Sequence, residues 1–225
     1  MTEAEEKNLL DECAAIDTST WSDALDQMDL DGIVEGIPQR SGAGRMCGFA
    51  VTARQVPGKL HDFDKADFAV NRLVESAGPR NVLVIDVGGQ PISTLGGLAS
   101  YGTKKRGVRG VLIDGGCRDV DEIRVTGVWL ASRHITPRTG KGRLRTQQYG
   151  ERVTIGGISI AQGDLVVGDD TGIVVIPRSK LDEALKRAKQ ILAVDKDVEA
   201  RMKRGESFDS AARATGYVPE RKAKS

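Results

Sequence analysis

The residues best equipped to do chemistry stand in LIDGGCRDVDEIR, positions 112–124. A run of aliphatic residues stops at two glycines, Arg118 and Asp119 follow, and a helix is predicted to start behind them. A guanidinium is a planar fork matched to a carboxylate or a keto-acid oxygen. An aspartate is a hard oxygen donor, suited to Mg²⁺ or Mn²⁺. Side by side where a core strand ends, the two suggest a place where a metal and an organic acid meet. Taken alone, the same pair is better read as a surface ion pair of little energetic worth.

A second stretch, GGQPISTLGGLA (88–99), bears on the same place. NVLVIDVGG from residue 81 and GVLIDGG from residue 110 are continuous apolar runs bounded by turn residues. Such runs mark strands covered on both faces, as in parallel sheets. TLGGLASYGTKKRG between them reads as a helix opening near Thr94. Strand, helix and strand form a βαβ unit with a right-handed crossover. Both strands then end on one sheet edge, the edge where such folds bind ligands. The loops carrying Gly96–Gly97 and Arg118–Asp119 therefore meet. Free N–H groups at the helix start are able to hold a carboxylate or phosphate. The plainer alternative is that the two glycines only let the helix pack closely.

The remaining elements are read around this unit. Residues 1–30 are helical, with Thr18 and Ser19 as N-cap candidates for a second short helix. Gly32 to Gly48 reads as a loop, GFAVTARQV as the first strand, and Phe63 to Ser76 as a modest helix. Past residue 150, ERVTIGGISI and DLVVGDDTGIVVIP read as short antiparallel pieces, the second turning over Asp169 to Gly172. A long helix runs from about Ser179 to Lys203, and the basic tail ERKAKS is expected to be disordered. The chain shows no repeat and no change of composition, so residues 1–225 form one α/β domain with helical ends.

Composition narrows the function classes. Hydrophobic residues at 39% and charged ones at 29% describe an ordinary globular chain. Aromatics at 4% are too few to stack bases, and a net charge of +1 supplies no field for nucleic acid or an anionic membrane. No apolar run spans a bilayer, and the acidic start MTEAEEKNLLDE is unlike a signal peptide. Cys13, Cys47 and Cys117 are scattered and odd in number, which suits a reducing cytoplasm rather than a disulfide framework. His61, Asp62 and Asp64 match no standard metal spacing. The cations Arg133, Arg138, Lys141, Arg143 and Arg145 either rim the pocket or belong to a solvated loop. There is no P-loop, dinucleotide fingerprint, HExxH or GxSxG.

LGGLASYGTKKRGVRGVLIDGGCRDVDEIR, with STWSDALDQM before it and GDLVVGDDTGIVVIP after it, resembles the signature of the RraA-like family. That family includes class II 4-hydroxy-4-methyl-2-oxoglutarate/4-carboxy-4-hydroxy-2-oxoadipate aldolases and the regulator of ribonuclease E activity. The resemblance implies a swivelling β/β/α-type fold, assembled as trimers or hexamers with sites between subunits. It implies that Asp119 holds the divalent metal (Mg²⁺ or Mn²⁺) and that Arg118 contacts a small 2-keto acid. Backbone amides of the Gly96, Gly97, Leu98 and Ala99 turn would bind its pyruvate end. One departure stands out: the aldolases carry an acid twenty-one positions before the arginine, where this chain has Gly97.

The resemblance also calls for an acid from the C-terminal helix of a neighbouring subunit. Read unaided, that helix has an apolar stripe of Leu181, Leu185, Ala188 and Leu192 that continues into Asp195 and then Met202. An acid on an apolar face is out of place on a solvated helix. Asp195 is the first candidate and Glu199 the rival, and the face is expected to meet another subunit. A metal-dependent lyase, a non-catalytic regulator and a different lyase or hydrolase on the same scaffold are all open at this point.

Overall fold

The computed structural model describes residues 2–218, so the ERKAKS tail lies outside the described residues. The chain opens with α1 (Glu3–Ala14) and α2 (Thr18–Asp26). There follow β1 (Gln39–Ser41), β2 (Met46–Pro57), α3 (Val70–Glu75), β3 (Asn81–Asp86), β4 (Ser93–Leu95) and α4 (Gly97–Lys105). Then come β5 (Gly110–Cys117), α5 (Val120–Thr126), β6 (Leu130–Ile135), β7 (Leu144–Tyr149) and the β8–β9 hairpin (Val153–Ile155, Ile158–Ile160). The chain closes with β10 (Leu165–Gly168), β11 (Ile173–Ile176), α6 (Leu181–Lys203) and α7 (Phe208–Thr215).

One mixed sheet organises these elements, in the order β1-β6-β5-β3-β2-β10-β11. β2, β3, β5 and β6 are parallel neighbours, and β1, β7, β10 and β11 run antiparallel to theirs. The βαβ unit is present as expected, with β3 paired in parallel to β5 from Val82–Gly110 to Asp86–Asp114. The continuous apolarity of these strands has a visible cause. Leu83, Ile85, Val111 and Ile113 pack beneath the α3–α5 layer with Leu73 and Ile123. Val82, Val84 and Leu112 face the other way, onto Trp129 and the β8–β9 hairpin. Alternate side chains thus fill two separate cores, so neither face tolerates a polar residue. A third core joins α1, α2 and α6 to β10, β11 and the start of β2.

Several boundaries differ from the sequence reading. The helix expected from Thr94 begins at Gly97, because Ser93–Leu95 pairs with the end of β5 as a short strand. The 63–76 helix is broken: a 3₁₀ turn at Lys65–Phe68 precedes α3, and Ala69 between them is left-handed at φ 46°. β1, β6, β7 and α7 were not foreseen. β7 (LRTQQY) is mostly polar and lies on the outer half of β2, where backbone pairing holds it without an apolar run. All three cysteines are free and buried, although the fold brings Cys13 and Cys47 together. The adjacent Cys13 and burial push the Cys47 thiol up.

The face of α6 that carries Asp195 also departs from expectation. Leu181, Leu185 and Ala188 are buried against α1, α2 and β10–β11 of the same chain, so the apolar stripe needs no second subunit to explain it. Asp195 itself is half-buried, and burial, with the nearby Asp17 and Asp23 of the α2 end, holds its carboxyl above the usual range.

The N-cap of α2 is Asp17, whose carboxylate accepts from Thr20 N at 2.8 Å, rather than Thr18 or Ser19. Thr18 gives its N–H (3.0 Å) and its hydroxyl (2.7 Å) to Asp169 in the β10–β11 turn, tying the first helices to the sheet. Burial pushes the Asp169 carboxyl up, but these bonds and those from Thr171 and Gly172 outweigh it and hold it below the usual range. A carboxyl depressed in the folded state stabilises above its unfolded pKa, about 4, and loses that contribution as acid titrates it. Asp169→Ala should therefore cost about 1 kcal/mol at pH 7. Urea unfolding should show the gap to wild type shrinking as the pH is lowered through 3; a gap independent of pH would contradict the charge-based account.

Candidate functional site

Two loops meet at the end of the β3–β5 pair, as the sequence implied, but the contact is closer than a shared edge requires. β5 does not stop at Gly115–Gly116; it runs on to Cys117, and β4 lies along its end. Both glycines are needed there, since a β-carbon at 115 would lie 2.6 Å from the Val87 side chain and one at 116 would lie 2.9 Å from Ile92 O. The backbone then breaks direction at Asp119, which is left-handed at φ 53° and serves as the N-terminal flank of α5. Aspartate tolerates this region better than most residues, and such strain on a non-glycine residue gathers at functional positions.

Opposite this turn stands the N-terminus of α4. Gly97 donates its N–H to Asp119 Oδ2 at 3.2 Å, and Arg118 Nε lies 3.5 Å from the same oxygen. A β-carbon at Gly96 would sit 2.5 Å from Asp119 Oδ2. A β-carbon at Gly97 would fall within the carboxylate of Glu122, 2.8 Å from its Cδ. The glycines thus let the start of α4 pack closely on two acids at the start of α5. Leu98 and Ala99, in the first turn of α4, keep N–H groups without an intrahelical acceptor.

A cleft of about 340 Å³ opens over this contact. Gly96, Gly97, Leu98, Ala99, Arg118 and Asp119 all line it, so the structure brings these sequence-derived candidates together. Ser93, Thr94 and Leu95 form the floor, with Thr94 Oγ1 hydrogen-bonded to Gln55. Phe68, Val70, Thr139 and Lys141 form the other wall, and none of the first three gave a signal in the sequence. Of the cation-rich stretch, only Lys141 reaches the cleft. Arg133 binds Asp114, Arg143 donates to Thr139 O, and Arg145 stacks over Phe63. Glu122 was also missed; its spacing three residues after Asp119 places both on the first turn of one helix.

Asp195 and Glu199 are not at the cleft of their own chain: α6 packs on α2 and α7. Asp62 accepts from Lys59 N and Asp67 from Asp64 N, so the His61–Asp64 segment is local loop structure. Among the described residues no group of three or more histidine, cysteine or acidic side chains is placed to hold a metal, and no helix is long and apolar enough to cross a membrane. A divalent cation held here would therefore keep much of its water. That suits Mg²⁺ or Mn²⁺, which are bound through one or two carboxylates and give up water reluctantly. The donor set fits: hard oxygens from Asp119 and Glu122 lie over space that side chains at positions 96 and 97 would fill.

With this geometry in view, the relatives are informative. An uncharacterized protein of Methanocaldococcus jannaschii is 35% identical over 56% of this chain, which spans 60% of that relative's length. A Halalkalibacterium halodurans protein named "Putative 4-hydroxy-4-methyl-2-oxoglutarate aldolase" is 29% identical over 80% of this chain and 81% of its own. The crystal structure of Streptomyces coelicolor RraAS2, described as an unusual member of the RNase ES inhibitor RraA family, superposes with a TM-score of 0.77 at 26% identity. That superposition covers 87% of this chain and 98% of the other. The Aldolase/RraA model matches residues 18–175, from the first residue of α2 into β11 and across the whole cleft, and the chain belongs to the RraA-like family.

Proposed function

We propose that the protein is a metal-dependent lyase that cleaves a C–C bond in a small 2-keto acid, releasing pyruvate. The observation that carries this reading is the convergence of Arg118, Asp119 and the free N–H groups of α4 in one cleft. The name of the Halalkalibacterium relative supports the same class of reaction.

In this reading the substrate carboxylate rests on the Leu98 and Ala99 N–H groups at the positive end of α4. Arg118 directs its fork at the keto oxygen, where negative charge develops as the bond between C3 and C4 breaks. Asp119 would hold Mg²⁺ or Mn²⁺, which when bound supplies Lewis-acid polarisation of that oxygen. The C4 hydroxyl loses a proton, the C3–C4 electrons pass into the keto group, and C3 of the resulting enolate is protonated. Asp195 from an adjacent copy, with Glu199 as the rival, is the proposed proton acceptor. Loss of CO₂ from oxaloacetate gives the same pyruvate enolate, so one site would serve both reactions.

The shared site requires a homo-oligomer, a trimer or hexamer. Leu98, which lines the cleft, and Val125 on α5 are each 89% exposed, and Tyr101 on α4 is exposed too, as surface that a second copy would cover. The same apolar rim supports a second reading, a regulator that docks on another protein, as the description of RraAS2 suggests for its own family. Catalysis separates the two readings.

Pyruvate release from 4-hydroxy-4-methyl-2-oxoglutarate and from oxaloacetate should require Mg²⁺ or Mn²⁺, stop with EDTA and return on adding metal. Asp119→Asn should lower the rate by on the order of a hundredfold or more, and Arg118→Lys, which loses the fork, by a comparable factor. Wild-type protein that makes no pyruvate from either acid with either metal would leave the regulator reading in possession.

Lys141 is exposed, with none of the desolvation that makes a lysine an imine former. Borohydride added with pyruvate should accordingly leave no adduct on Lys104, Lys105 or Lys141, as judged by intact mass; a trapped lysine would replace the metal mechanism.

Light scattering should give a mass that is a multiple of the 24.1 kDa chain, three or more. A monomer active at full rate would remove Asp195 from the site.

A further inference from the structure

Glu122 is the one acid in the cleft with no assigned task. It stands three residues after Asp119, in the first turn of α5, where an acid is favoured by the helix end alone. Its neighbour Asp121 meets that need from outside the cleft. Glu122 instead turns toward α4, and its carboxylate occupies the volume that a side chain at position 97 would enter. Among the described residues it makes no hydrogen bond and no ion pair, whereas Asp119 has both Gly97 N–H and Arg118. Two carboxylates are therefore held against adjacent glycines, and the nearby Arg118 guanidinium lies against only one of them. That leaves an exposed carboxylate facing the cleft with its oxygens free of protein partners among the described residues, beside a donor already engaged.

We infer that Glu122 is the second carboxylate of the divalent-cation site, acting with Asp119 directly or through a cation-bound water. The inference rests on the metal-dependent reading above and goes beyond it in naming the residue. Positions 97 and 122 are alternative origins for an acid at one point: from α4 if residue 97 carries a side chain, from α5 if it is glycine. Gly97 then leaves the site no poorer in carboxylates. It moves one carboxylate from the start of one helix to the start of the next.

The test is Mn²⁺ binding followed by the loss of the free-ion paramagnetic resonance signal, with no substrate present. Wild-type protein should bind, and Asp119→Asn should not. Glu122→Gln, which keeps shape and loses charge, should bind roughly 10–100-fold more weakly. Asp121→Asn, one residue away and outside the cleft, should bind like wild type. Combining Glu122→Ala with Gly97→Asp should restore much of the affinity lost in Glu122→Ala alone, because the new acid enters the vacated volume. Circular dichroism melts would confirm that each variant is folded. Glu122→Gln binding as tightly as wild type would overturn the role of Glu122 while leaving Asp119 and the lyase reading intact. Wild-type protein that binds no Mn²⁺ would overturn the metal site as a whole.

Discussion

The cleft depends on how closely the start of α4 approaches the turn between β5 and α5. Gly96 and Gly97 have no side chains, so the α4 backbone can sit against the Asp119 and Glu122 carboxylates. That contact aims the positive end of a helix at two negative groups and leaves the next N–H groups facing the cleft. A β-carbon at Gly96 would lie 2.5 Å from Asp119 Oδ2, and one at Gly97 would displace the Glu122 carboxylate, so a side chain at either position moves an acid. The geometry is fixed from behind as well, since Gly115 and Gly116 let β5 press against Val87 and Ile92.

Rigid layers hold the two sides of this contact at a set distance. β3 and β5 are paired in parallel over five residue pairs and are buried on both faces. α3 to α5 cover one face and the β8–β9 hairpin covers the other. The charged residues at the strand ends are themselves fastened. Arg133 donates to Asp114, which also accepts from Gly156 N, and Arg54 donates to Asp86. These strand-end charges are paired, whereas Glu122 and Lys141, which line the cleft, make no ion pair among the described residues.

The C-terminal helix has a different relation to the site. α6 closes the third core over α1 and α2, and its apolar face is used within the chain. Asp195 stands beside Asp17 and Asp23, where burial and like charge favour its neutral form. A group so placed binds a proton more readily than a free aspartate.

By itself, the sequence determined the elements whose pattern is local and strong. The buried runs of β3 and β5, the βαβ unit, the turn at Asp169 to Gly172 and the long α6 all follow from periodicity and turn residues. It also determined that Arg118, Asp119 and the Gly96–Ala99 turn would meet, because parallel strands end on one edge. Tertiary structure alone decided what depends on partners distant in the chain. The polar strand β7 exists only because β2 offers it backbone groups, and Thr18 is tied to an aspartate 151 residues away. The cleft wall of Phe68, Val70 and Thr139 comes from loops with no periodic signal. What stands against position 97 could not be read along the chain at all. It is the Glu122 carboxylate, twenty-five residues on, in the volume a side chain there would enter.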